Sequence, residues 1–114
     1  EGLSLLEELE LNENKLITLE RGIFFGLIGL RTLSLSSNNI SLIEDQVFMN
    51  LNHLEILDLS ENNIAILTRD TFFSLSQLRK LFLKGNILTI LGDHTYGKVF
   101  FRRYFFSFFF RYFY

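Results

Sequence analysis

The chain has 114 residues, 48% of them apolar and 21% charged, with a formal net charge of −2. It contains no Cys, Pro or Trp, which removes disulfide frameworks, thiolate metal sites and cysteine nucleophiles. The length suits one modest domain, and the near-neutral charge argues against a general nucleic-acid binder.

The charge is unevenly spread: residues 1–98 hold 13 acids and 8 bases, whereas residues 99–114 hold Arg102, Arg103 and Arg111 and no acid. Glu1 to Glu10 include four acids and no basic n-region, so nothing there reads as a secretory signal peptide. Residues 1–5 read as the end of a truncated preceding unit, because Leu3 fits the last apolar column of the pattern that follows.

From residue 6 the chain repeats every 24 residues. Leu6, Leu30, Leu54 and Leu78 form one column; Leu9, Leu33, Leu57 and Leu81 a second; Leu11, Leu35, Leu59 and Leu83 a third. Asn14, Asn38, Asn62 and Asn86 follow, then Leu16, Ile40, Ile64 and Leu88, and Leu19, Ile43, Leu67 and Leu91. Phe24, Phe48, Phe72 and Tyr96 come next, and Leu27, Leu51, Leu75 and Val99 close the set. The units are 6–29, 30–53, 54–77 and an incomplete 78–99, leaving 100–114 as a Phe/Tyr-rich tail outside the pattern.

In L-x-x-L-x-L the last two leucines are two apart and share one face of a short strand, with the residues between them facing the other way. One unit cannot bury that face alone. Stacked units form a parallel sheet backed by a continuous leucine core, so each is stabilised mainly by its neighbours. The Asn that follows leads the chain out of the strand. A turn buried between neighbours leaves backbone groups out of reach of water, and an Asn side chain, which both donates and accepts, can satisfy them in two adjacent units. Asn14, Asn38, Asn62 and Asn86 are therefore expected to form a ladder.

The unit L-x-x-L-x-L-x-x-N-x-[LI]-x-x-[LI]-x-x-x-x-[FY]-x-x-[LV] resembles the leucine-rich repeat family, in its 24-residue typical class, over residues 6–99. That resemblance implies an α/β-type solenoid with a parallel sheet on the concave face and an irregular or short-helical convex side. It also implies a spine of stacked Phe24, Phe48, Phe72 and Tyr96. The class is similar to Toll-like receptor, chaoptin-like and Slit-like ectodomain repeats, which implies protein recognition in an extracellular or cell-surface receptor or adhesion protein. The alternative is a spacer, or a truncated product without activity of its own.

In this family the concave face usually carries the partner. The corresponding candidates here are Glu7, Glu8, Glu10, Glu13, Arg31, Glu55, Asp58, Glu61, Arg79, Lys80, Phe82 and Lys84, giving unit charges of −4, +1, −3 and +3. A sign-alternating face would steer a protein ligand or co-receptor and fix its register. Phe82, read as an exposed aromatic among cations, is the expected anchor. Leu42, Ile66 and Ile90, with Thr18 in the first unit, share a further column. They would either form an apolar flank or, as stacked repeats usually behave, tuck partly under neighbouring units. Asn39-Ile40-Ser41 is the single N-x-[ST] triplet and a candidate glycosylation site.

No enzyme, cofactor or metal is expected: His53 and His94 lack ligand or triad partners at a meaningful spacing, and Asp93 beside His94 reads as solvated. Gly26 and Gly29 read as turn residues, with no phosphate loop. No stretch reaches the roughly 18 uncharged apolar residues of a membrane span. In the tail, 11 of 16 residues from Val99 are Phe or Tyr. It reads as an aromatic cap, as a segment touching a membrane interface through its arginines, or as read-through of unspliced sequence. The last is favoured, because Lys98-Val99 is compatible with a splice donor and T-rich sequence encodes Phe, Tyr and Ser. The chain as a whole is expected to be inner coils of a longer solenoid.

Overall fold

Eight short parallel strands, laid down at the pace of the repeat, organise the described residues. The computed structural model describes residues 2–67, 69–72, 74–88 and 90–91. After a 3-10 turn at Gly2–Leu5 come β1 (Glu8–Glu10), β2 (Thr18–Leu19), β3 (Thr32–Ser34), β4 (Leu42–Ile43), β5 (Ile56–Asp58) and β6 (Ile66–Leu67). A single helical turn, α1 (Arg69–Phe72), precedes β7 (Lys80–Phe82) and β8 (Ile90–Leu91). The main sheet has the order β1-β3-β5-β7, and two-stranded sheets β2-β4 and β6-β8 run along one flank.

The 24-residue period is the sheet register itself: Leu9 pairs with Leu33, Leu33 with Leu57 and Leu57 with Leu81. Because these leucines alternate with outward residues, they form a row behind the sheet, joined by the leucines two places on. Leu30, Leu33, Leu35, Leu54, Leu57 and Leu59 are fully buried. Burial depends on neighbours: Leu27, Leu51 and Leu75 are 7%, 1% and 0% exposed, against 60% for Leu3 in the same column. A coil with stacked units on both sides closes its core, whereas a coil with one neighbour does not.

On the convex side the rings of Phe24 and Phe48 stack at 5.9 Å and 13°, and those of Phe48 and Phe72 at 6.1 Å and 6°. Tyr96, the fourth member of that column, lies outside the described residues, as do Asp93, His94, Val99 and the tail with its cap, membrane and read-through readings. The chain around the spine is mostly a succession of tight turns. Leu27 N–H bonds the Phe24 carbonyl at 3.2 Å and Leu51 N–H bonds that of Phe48 at 3.2 Å. These turns place Gly26 and Asn50 at φ 89° and 74°, where an L-residue is strained and Gly or Asn is least so. The convex side is thus irregular in the first two units and helical for one turn in the third. Among the described residues no helix is long and apolar enough to cross a membrane.

The flank differs from the expectation that its apolar column is tucked away. Leu42 and Ile66 are 55% and 56% exposed. The reason is alternation along the side strands: in β6, Leu67 turns into the core and Ile66 before it faces outward. The burial of Leu57 is expected to make Leu57→Ala cost about 2–5 kcal/mol, measurable as a lowered chemical-denaturation midpoint. An unchanged midpoint would mean that the stacked core does not hold the solenoid together.

Candidate functional site

The strands of the main sheet present their outward residues as parallel columns. Glu8, Thr32, Ile56 and Lys80 form one, and Glu10, Ser34, Asp58 and Phe82 the other. Every concave candidate from Glu7 to Lys84 lies on this sheet or in the residues directly bordering it, so the fold brings them to one surface.

The border column before the strands behaves differently from a simple alternation of free charge. Arg31 Nε lies 3.1 Å from Glu7 Oε1, and its Nη1 lies 2.7 Å from Glu55 Oε2. Arg79 Nη1 is 3.5 Å from the other Glu55 oxygen. Glu7, Arg31, Glu55 and Arg79 are thus an ion-paired row across the four units. Hydrogen bonding to Glu55 and then to Glu7 holds the Arg31 guanidinium above its already high range. It is charged at every working pH. The row borders a shallow trough of about 560 Å³ with Glu8, Thr32 and Ile56 along it.

After the strands, side chains are spent on shaping turns. Asn12 Oδ1 accepts hydrogen bonds from the Ser34 hydroxyl and, at 2.9 Å each, from the Ser36 N–H and hydroxyl. Asp58 Oδ1 accepts from the Ser60 N–H at 2.9 Å and its hydroxyl at 2.6 Å. One oxygen of Asp58 is therefore committed within its own unit. Glu13, Ser37 and Glu61 adopt φ of 57°, 56° and 56°, and Gly85 follows in the same column at 79°. A Cβ on Gly85 would sit 2.5 Å from Glu61 Cδ, so glycine is what lets the Glu61 carboxylate lie over that turn.

Two site expectations change in detail. Phe82 is half-buried rather than exposed, in register with Asp58 of the adjacent strand. The −4, +1, −3, +3 profile also overstates the free charge, because Arg31 and Glu55 largely satisfy each other. Among the described residues, the side chains of Glu8, Glu10 and Glu13 at one end and of Lys80 and Lys84 at the other take part in no ion pair. The free charge is acidic over β1 and basic beside β7, with the Asp58 and Glu61 carboxylates of the β5 unit, also in no ion pair among the described residues, next to the basic end.

Asn38 and Asn62 bind the coils together from inside. The Asn62 amide nitrogen donates to the carbonyls of Leu35, Leu59 and Ser60 at 3.0–3.1 Å, and its Oδ1 accepts from Ile40 N–H at 3.0 Å. Asn38 makes the same set toward Leu11, Leu35, Ser36 and Leu16. Asn86 reaches Leu59, Leu83 and Ile64. Asn14 is exposed and bonds only Leu11 and Asn12 of its own turn among the described residues. Asn39, by contrast with its buried neighbour Asn38, is exposed, as is Ser41. His53 places Nδ1 3.1 Å from the Ile28 carbonyl, an inter-unit contact. No cluster of three or more potential metal ligands occurs among the described residues.

The leucine rich repeat family profile matches residues 1–40 and 28–88, most of the chain. The chain belongs to the leucine-rich repeat family. No curated protein matches it. Among solved structures, its solenoid is similar to the crystal structure of the TLR13–ssRNA13 complex, with a TM-score of 0.72 and 36% identity. The match covers 74% of this chain and 12% of that one, so the chain spans about an eighth of the length of TLR13 in that structure. Leucine-rich repeats are interaction modules and generally not enzymes, and the surface described above is of that kind.

Sequence columns alone did not reveal Asn12 as a hydrogen-bonding hub, although its signal was present: Asn12 and Ser36 share a column, with Ser34 two residues earlier. The ladder leads to a graded expectation. Asn62→Ala takes one of two donors from each of the Leu35, Leu59 and Ser60 carbonyls and leaves the buried Ile40 N–H without its acceptor, which should cost about 1–3 kcal/mol, whereas Asn14→Ala should cost less than about 1 kcal/mol. Denaturant midpoints of the two variants check it, and equal losses would count against a cross-unit role.

Proposed function

We propose that these repeats are a protein-recognition module of a receptor or adhesion ectodomain, working outside the cell or at its surface, and that the concave sheet carries the partner. The observation that supports this reading most directly is the end-to-end polarity left after the central row is neutralised. Glu8, Glu10 and Glu13 stand over β1 and Lys80 and Lys84 at β7, with Thr32, Ser34 and Ile56 between them and the Asp58 and Glu61 carboxylates on the β7 side. A partner bearing cations at one end and acids at the other would be drawn in and held in one orientation. Thr32, Ser34 and Ile56 of the middle strands, with the half-buried Phe82 of β7 beside them, would receive the apolar part of the contact.

TLR13 in the similar structure is in complex with ssRNA13. For the present chain a protein partner is the better reading. Its concave candidates comprise seven acids, Glu7, Glu8, Glu10, Glu13, Glu55, Asp58 and Glu61, against four bases, Arg31, Arg79, Lys80 and Lys84. A polyphosphate strand lying along the sheet would meet net repulsion, since nucleic-acid affinity comes largely from cations that neutralise phosphates.

Charge reversal tests the reading in the full-length protein that carries these repeats. The pair Lys80→Glu and Lys84→Glu should weaken partner binding roughly tenfold or more and change its dependence on salt. Reversal at the exposed convex residue Arg21 should leave affinity unaltered. Unchanged binding in the Lys80/Lys84 variant would instead assign these repeats a spacing role.

A further inference from the structure

The flank beside the main sheet carries exposed apolar side chains that the concave site does not use. Ile17 is 60% exposed, Leu42 55% and Ile66 56%. Leu42 and Ile66 share one column of the repeat on successive coils, and Ile17 precedes Thr18, the register partner of Leu42. Backbone bonds hold Ile17 beside the second coil, its carbonyl accepting from Ser41 N–H at 2.9 Å and from Leu42 N–H at 3.4 Å, and hold the third coil against the second through Asn63 N–H to the Ile40 carbonyl at 2.9 Å. Exposed apolar side chains gathered on one flank call for a cover.

The same flank contains Asn39-Ile40-Ser41. Ile40 is fully buried and anchors the segment, while Asn39 and Ser41 on either side face solvent. Asn39 N–H bonds the Leu16 carbonyl at 2.9 Å, which holds the residue beside Ile17. Its side-chain amide makes no hydrogen bond among the described residues. The adjacent Asn38 is the opposite case, 7% exposed and committed to three carbonyls. One coil further on, Asn63 stands in the same exposed column but is followed by Ile64-Ala65, without the hydroxyl that an acceptor triplet needs.

We propose that Asn39 carries an N-linked glycan whose inner sugars lie over the apolar flank of Ile17, Leu42 and Ile66. In the transfer, Asn39 Nδ2 forms a bond to the anomeric carbon of an oligosaccharide carried on a lipid pyrophosphate. The anomeric C–O bond breaks, the lipid pyrophosphate leaves with the electron pair, and the amide loses one proton to the transferase's base. A pyranose offers an apolar face of C–H groups to these side chains and turns its hydroxyls to water, which makes the flank soluble and closes it to protein contacts. The partner is thereby confined to the concave face. This inference rests on the extracellular reading given above.

The test expresses the full-length protein in mammalian secretory cells as wild type, Asn39→Gln, Ser41→Ala and Ala65→Ser, the last completing a triplet at Asn63. Peptide N-glycosidase digestion and mass spectrometry should find glycan at Asn39 in the wild type, none there in Asn39→Gln or Ser41→Ala, and a second glycan in Ala65→Ser. Glycan at Asn63 in Ala65→Ser with Asn39 unmodified would overturn the site while leaving the extracellular reading intact. Glycan at neither position would overturn both. For the cover itself, binding of an apolar dye should rise about twofold in Asn39→Gln and return to the wild-type level when Ile17→Ser and Leu42→Ser are added. Equal dye binding by wild type and Asn39→Gln would show that the sugars do not shield the flank.

Discussion

The inner coils of this molecule must turn a corner inside protein, where carbonyls cannot bond water, and the cross-unit asparagines Asn38, Asn62 and Asn86 meet that constraint. The carbonyls of Leu35 and Leu59 each accept from their own unit's Asn and from the next one, so a single amide serves two coils. The leucine rows set the shape of the core, but leucine packing is adaptable, whereas a buried carbonyl either has a donor or costs free energy. The ladder therefore ties the spacing between coils to the spacing within the sheet. Parallel pairing at a 24-residue offset, the Phe24–Phe48–Phe72 spine and the outward columns all inherit their register from it.

That register makes a surface in which chemistry is sorted by column rather than by local sequence. Glu7, Arg31, Glu55 and Arg79 are 24 residues apart, yet they form one ion-paired row. A change at one member alters its neighbours on both sides. The row pairs off charge along the border of the face and leaves Glu8, Glu10 and Glu13 at one end and Lys80 and Lys84 at the other in no ion pair among the described residues. On the flank the same repetition gathers single exposed apolar residues from different coils, beside a solvent-facing Asn.

Much of this is legible in the chain before any coordinates are seen. Columns such as Leu9, Leu33, Leu57 and Leu81 declare a stacked fold because period-two alternation inside a 24-residue period has few other physical meanings. The positions of the ladder Asn and the spine Phe follow from the same alignment. Less legible were the states of particular side chains. Phe82 looks exposed by column but is half-buried, and Leu42 and Ile66 look coverable but face solvent because they alternate with the inward Ile43 and Leu67. Asn12 gives little sign that it joins Ser34 and Ser36 of the next coil.

The sequence by itself determined the repeat, the parallel register and which residues belong to core, turn and sheet face, because these follow from periodicity and from the need to bury apolar columns. Only the tertiary structure decided how charges and polar groups pair between coils. Whether Arg31 is a free cation or the clasp between Glu7 and Glu55 depends on rotamers and distances across three units. No spacing rule encodes these, since exposed side chains are held by their neighbours rather than by the fold's period.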